Sequence, residues 1–205
     1  MIESMYIGSG DISSLLMGKD TDGYLKLWQK FINGEAPHYY AKGSPIDALR
    51  TGAILEERYF LTLSDDYFTQ VKCTSKEMDV LKCSLDFAKI DNANVVDFDE
   101  MKSCNFTDFL NFEPFRNDKT DALSFIKKNY KKNYNQVQQQ LYVTGLDSAN
   151  LVFLAVYSYD DEINNNRIIK ENEFIKFRIS RDEKVIAEIK SRALIFQEVR
   201  NHFVK

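Results

Sequence analysis

The residues best placed to do chemistry are in the run Asp97-Phe98-Asp99-Glu100-Met101-Lys102. Side chains on a strand alternate between faces, so Glu100 and Lys102 project to the same side. Met101 points away, but its carbonyl stays beside them. Asp86 ends a preceding apolar run, and a short antiparallel return through Asn92-Ala93-Asn94 brings it next to Glu100. Two carboxylates and a carbonyl oxygen form a hard-oxygen set suited to Mg²⁺ or Mn²⁺. An adjacent lysine suits a metal-bound water or a phosphate oxygen, and the whole suits metal-assisted phosphodiester hydrolysis. The same spacing also describes a solvated strand face with a cross-strand ion pair, and short motifs of this kind arise often by chance.

The surrounding elements must hold these residues in place. Asp11 caps a short helix through Met17. Asp22 opens another, with Leu25, Trp28, Phe31 and Ile32 on one face. Pro45 fits the first turn of a helix in which Ile46, Leu49, Ala53, Ile54 and Phe60 recur up to about Leu63. Strands are expected over Tyr67–Cys73, Val80–Leu85 and Val95–Met101, as an antiparallel meander. Helices follow over Thr120–Tyr130 and Tyr134–Val143, the second ended by Gly145 in the left-handed region. Asn150–Tyr159 is the strongest strand. Shorter strands lie at Arg167–Ile169 and Phe174–Phe177, and a helix runs from Arg181 to Phe203. This order gives an α/β fold, a central mixed sheet flanked by helices.

A chain of 205 residues that is 44% hydrophobic can bury a sizeable core. With three prolines and no Gly/Ser linker, it reads as a single domain over residues 1–205, with a helical part (1–63) and a sheet core with flanking helices (64–205). The formal charge of -4 argues weakly against nucleic acid as a partner. Local patches and bound cations nevertheless decide phosphate binding. Cys73, Cys83 and Cys104 form neither a disulfide framework nor a zinc knuckle, which fits a reducing cytoplasm. No signal peptide and no membrane-length apolar run is seen.

Other features carry less. Gly8-Ser9-Gly10 lacks the third glycine of a dinucleotide loop. Ser9 or Asp11 is better read as a helix cap. His38 and His202 sit in no hydrolase or zinc-protease setting. Lys127, Lys128, Lys131 and Lys132, interleaved with Tyr130 and Tyr134, are either a solvated helix end or a surface that tracks phosphates. Tyr39-Tyr40 and Phe112–Phe115 are aromatic candidates for a wedge or, more simply, for packing.

Several segments in order carry a resemblance. They are Ile7-Gly8-Ser9-Gly10-Asp11-Ile12, Leu25-x-x-Trp28, Gly52-x-x-x-Glu56, Cys83-Ser84-Leu85-Asp86, Glu100-x-Lys102, and Gln136-Val137-Gln138 running to Val143-Thr144-Gly145. Together they resemble the YqaJ/lambda-type viral exonuclease family of the PD-(D/E)xK nuclease superfamily, over most of the chain. The resemblance implies a restriction-endonuclease-like core. It implies Asp86, Glu100 and the Met101 carbonyl as metal ligands, with Glu56 reaching a second ion. Lys102 would be the catalytic lysine. Gln138, with Tyr142 one turn on, would meet the scissile phosphate or the active-site water, and Gln136 is a less certain neighbour. Ser9 and the lysine cluster would touch DNA.

The implied activity is Mg²⁺-dependent 5′→3′ degradation of linear double-stranded DNA to mononucleotides, with two ions per site and Mn²⁺ able to substitute. A homo-oligomeric ring, most often a trimer, and a single-strand annealing partner of the RecT/Red-beta type complete the expectation of a phage recombination role. An endonuclease or a single-strand or branched-DNA nuclease would use the same centre, and an inactive DNA-binding relative would keep the fold. One departure matters: the family often has an arginine ahead of its opening segment for the 5′-phosphate, and the first ten residues here contain no arginine or lysine.

Overall fold

A computed structural model of the chain describes residues 5–34, 45–157 and 168–204. Thirteen-atom helical turns begin early. After one 3-10 turn over Ser9–Asp11, α1 covers Ile12–Leu15 and α2 covers Asp22–Asn33. Thr21 caps α2 by accepting the Tyr24 N–H at 3.4 Å. The buried face of α2 is Tyr24, Leu27 and Phe31, joined by Trp28, which stacks on Phe196 at 4.0 Å. This corrects the sequence reading: Leu25 and Ile32 are about half exposed. Both faces have apolar residues at helical spacing, and the position of Phe196 decides which one is covered.

The helix α3 spans Pro45–Phe60. Three antiparallel strands follow: β1 (Tyr67–Thr74), β2 (Lys82–Asp91) and β3 (Asn94–Asn105). The β2–β3 return is a two-residue turn in which Asn92 (φ 48°) and Ala93 (φ 62°) are both left-handed. Such turns match the twist of the strands, but glycine normally takes the second position. Next come α4 (Phe106–Phe109), a 3-10 segment (Leu110–Phe115), α5 (Ala122–Asn129) and α6 (Lys131–Thr144). Gly145 ends α6 at φ 78°. Strand β4 (Ser148–Val156) pairs parallel to β3, β5 (Phe174–Ser180) pairs antiparallel to β4, and α7 (Glu183–Val204) closes the chain. The sheet order is β1-β2-β3-β4-β5. The architecture is α/β, a mixed five-stranded sheet with helices on both faces.

The larger core lies between the sheet and α1, α2, α6 and α7. The smaller one lies under α3 and contains Leu55, Tyr59, Phe87, Met101 and Val152. Phe112 is fully buried against Phe153 at 4.1 Å, so the Phe112–Phe115 segment packs the core rather than wedging into a ligand. Ile168 and Ile169 are not in a strand; Ile169 is buried beneath α3 and Ile168 is exposed. His202 is exposed. His38, Tyr39, Tyr40, Tyr159 and Arg167 lie outside the described residues. Among the described residues no helix is long and apolar enough to cross a membrane.

Candidate active site

The site forms where the sheet loses its regularity. Strands β2 and β3 pair from Asp91↔Asn94 to Phe87↔Asp99, and the ladder stops there. Beyond it, the Met101 N–H donates to the Asp86 carboxylate at 2.9 Å instead of to a strand carbonyl. Leu85 faces the larger core, while Phe87 faces the smaller one. Two residues apart on a regular strand, they would share a face. The strand therefore turns over at Asp86. Gln70, across on β1, has φ 52°, a conformation that non-glycine residues hold at a cost and that is common near functional sites. No feature of the sequence marked Gln70.

Glu100 is 1% exposed and saturated by donors. Its Oε1 accepts from Lys102 Nζ at 2.6 Å and Gln136 Nε2 at 2.5 Å, and its Oε2 accepts from Gln140 Nε2 at 2.6 Å. Glu56, on α3, lines a cleft of about 290 Å³ with Asp86, Gln70 and Thr69. The structure thus brings Asp86, Glu100, Lys102, Glu56, Gln136 and the Met101 peptide together.

Gln138 is placed elsewhere. Its Nε2 donates to the Ser180 carbonyl at 2.9 Å and its Oε1 accepts the Asp182 N–H at 2.6 Å, which fixes the turn between β5 and α7. Tyr142, one helical turn on, donates to Glu77 at 3.1 Å in a separate cleft with Arg181 and Lys190. At about 100° per residue, positions 136 and 140 share a face and 138 lies nearly opposite. The residues on Glu100 are Gln136 and Gln140, and the second of these the sequence reading missed. Gln136/Gln140 and Gln138/Tyr142 both satisfy i,i+4 spacing, and only the packing of α6 distinguishes them.

Three carboxylates share this space with one lysine. Withdrawal from solvent, then the Glu100 charge, pushes the Asp86 pKa up to about 8, with Glu56 adding to the rise and Lys102 opposing it. Burial raises Glu56 as well, against the pull of Lys102. Burial alone would depress the Lys102 ammonium, but Glu100, Asp86 and Glu56 hold it above its ordinary value. This is the signature of uncompensated negative charge, the condition a divalent cation relieves. The donors are all oxygen, which fits Mg²⁺ or Mn²⁺. Among the described residues no three such side chains converge as a finished ligand cage.

A second cleft, of about 540 Å³, adjoins the start of β2. Ile7 bridges to Leu81, which sets Gly8–Asp11 against Lys82–Ser84. The cleft is lined by Ser9, Lys72, Lys82, Cys73 and Cys83, among others. Asp11 does not cap α1 with its side chain; it accepts the Gly8 N–H at 3.1 Å and pairs with Lys30 at 2.8 Å. Of the lysine cluster, Lys127 pairs with Asp182 at 2.8 Å. Lys128, Lys131 and Lys132 are exposed, the last two in the first turn of α6. Cations there add to the partial positive charge of the helix N-terminus. Gln136 begins about 6 Å further along the axis.

No protein-family model matches the chain, and no curated protein sequence matches it significantly. Solved structures do. An alkaline exonuclease from Laribacter hongkongensis superposes with a TM-score of 0.63 at 13% identity, covering 98% of this chain and 90% of that one. The same exonuclease in complex with dAMP gives 0.60 at 14% identity, covering 99% and 92%. A phage-related exonuclease from Haemophilus somnus gives 0.56 at 15% identity, covering 98% and 96%. The chain shares the fold of these enzymes across nearly its whole length.

Proposed function

We propose that this protein is a metal-dependent exonuclease that degrades linear double-stranded DNA from its ends, in the 5′→3′ direction. The observation that carries the reading is the meeting of Asp86, Glu100, Lys102 and Glu56 at the parting of β2 and β3, on a fold shared with exonucleases.

Asp86, Glu100, Glu56 and the Met101 carbonyl would hold Mg²⁺, or Mn²⁺ in its place, at up to two positions. When bound, such ions lower the pKa of water and stabilise charge on a phosphate. The chain's own groups do the rest. Gln136 and Gln140 fix the orientation of Glu100. Lys102, 29% exposed, keeps its ammonium charged beside Glu100, where it can hold an attacking water or a phosphate oxygen. Asp86 can hold a proton in the metal-free site and release it on loading. Ser9 with Lys72 and Lys82 would receive a terminal phosphate, supplying from β1 and β2 the cations missing from the N-terminal segment. Lys128, Lys131 and Lys132 would add salt-dependent, sequence-independent affinity.

A homo-oligomeric ring, an annealing-protein partner and a phage recombination role in the bacterial cytoplasm extend the same proposal. The competing reading is a silent DNA-binding relative. It is favoured by the saturation of Glu100 with donors and the lack of a finished cage among the described residues. Digestion of a linear duplex beside a covalently closed circle separates the two. The proposal expects Mg²⁺-dependent release of mononucleotides from the linear form alone, lost with EDTA and with Asp86→Asn. A wild-type protein that binds duplex but leaves both the linear form and the circle uncut in Mg²⁺ or Mn²⁺ would leave only the silent relative.

A further inference from the structure

Two of the three cysteines stand directly opposite each other. Cys73 on β1 and Cys83 on β2 are register partners, and both line the cleft that contains Ser9, Lys72 and Lys82. Opposed residues on antiparallel strands have Cα atoms roughly 4.5–5.5 Å apart and side chains on one face. That separation falls inside the roughly 4.4–6.8 Å range spanned by disulfides. Cys73 is partly exposed and open to a reagent, whereas Cys83 is buried behind it. Neither belongs to the carboxylate cluster. Cys104 is separate, on β3, with its thiol 3.7 Å from the Leu154 carbonyl.

We propose that Cys73 and Cys83 are a redox-responsive dithiol that a small-molecule disulfide converts to an intramolecular bridge across the β1–β2 wall of this cleft. The Cys73 thiolate attacks one sulfur of the oxidant, forms a mixed disulfide and expels one small thiolate. The hydrogen bond to Cys73 and burial hold the Cys83 thiol protonated, so Cys83 attacks the Cys73 sulfur as its proton passes to the second small thiolate, which leaves as a thiol. The dithiol loses two electrons and two protons, and the oxidant is reduced to two thiols. A hydrogen bond from the Cys83 thiol draws the Cys73 pKa down to about 7, which favours Cys73 as the first nucleophile. The bridge ties the cleft wall covalently and makes its stiffness depend on redox state. The dithiol stands independently of the nuclease reading.

The test is incubation of the whole protein with oxidised glutathione, alkylation of the remaining thiols, and non-reducing peptide mapping. The expected product is a Cys73–Cys83 bridge within one chain, reversed by dithiothreitol. It should be absent in Cys73→Ser and Cys83→Ser and retained in Cys104→Ser. Closing this short loop should raise Tm by roughly 5–10 °C. Cys73 that stops at the glutathione adduct, a bridge that involves Cys104, or a bridge only between chains would each overturn the proposal. DNA digestion is not part of this readout, so loss of the nuclease reading would leave its outcome unchanged.

Discussion

The glutamines of α6 supply the sharpest prediction, because two neighbours on one helix should fail in different ways. Gln140→Ala removes a donor 2.6 Å from Glu100 Oε2 in a fully buried setting. A hydrogen bond to an ionised group is worth about 1.5–3 kcal/mol. If Glu100 must be held during cleavage, the rate should fall about 10- to 100-fold; Gln140 Nε2 also reaches the Ser84 carbonyl at 3.3 Å, so Tm should fall as well, by roughly 3–12 °C. Gln138→Ala instead strips partners from the Ser180 carbonyl and the Asp182 N–H. Two unsatisfied backbone groups cost about 2–4 kcal/mol together, a fall of roughly 5–15 °C in Tm for a chain of this size. Well below melting, its cleavage rate should stay within a few-fold of wild type. The assay pairs single-turnover nucleotide release from linear duplex with thermal melting of each variant. An inactive Gln138→Ala of normal Tm beside a fully active Gln140→Ala would refute the geometry argued for α6.

Four further outcomes follow from the same structure. Below about pH 8 a proton on Asp86 competes with a cation, so Mn²⁺ affinity should rise up to tenfold per pH unit between pH 6 and 8, with proton release visible by calorimetry in buffers of different ionisation enthalpy; a pH-independent affinity would contradict this. In the metal-free protein the folded state keeps that proton after the unfolded chain has lost it, so stability should fall as pH rises from about 4 to 8, and Asp86→Asn should flatten the slope of ΔG against pH measured by urea denaturation. Ala93→Gly should raise stability by about 0.5–1 kcal/mol in the same measurement, because Ala93 sits at φ 62°. Tyr59→Phe removes a 2.6 Å bond to the buried Asp99, which also accepts from Asn150 and Lys176; it should lower stability by about 1.5–3 kcal/mol and slow cleavage through the misplacement of Glu56 one turn away. An unchanged denaturation curve for Tyr59→Phe would sink that role.

Much of the architecture was legible in local pattern. The meander, the long helices and the Gly145 stop follow from apolar periodicity and turn residues, and Glu100 and Lys102 share a face because strand alternation requires it. What stayed hidden depends on tertiary contact. The buried face of α2 was decided by Phe196, from the far end of the chain. The choice between Gln138 and Gln140 was decided by the rotation of α6 over the sheet. Gln70 became part of the site because β2 turns over at Asp86, an irregularity with no glycine or proline to announce it. The lysines beside Ser9, Lys72 and Lys82, come from strands far along the sequence, joined by the Ile7–Leu81 bridge.

The most direct test of the central claim is Lys102→Ala, measured for cleavage and for duplex binding on the same preparation with Mg²⁺. Lys102 touches Glu100 at 2.6 Å and is the one cation of the cluster among the described residues. A catalytic centre predicts cleavage lost by several orders of magnitude while affinity for a linear duplex stays within a few-fold. A Lys102→Ala protein that digests DNA at the wild-type rate would contradict the account.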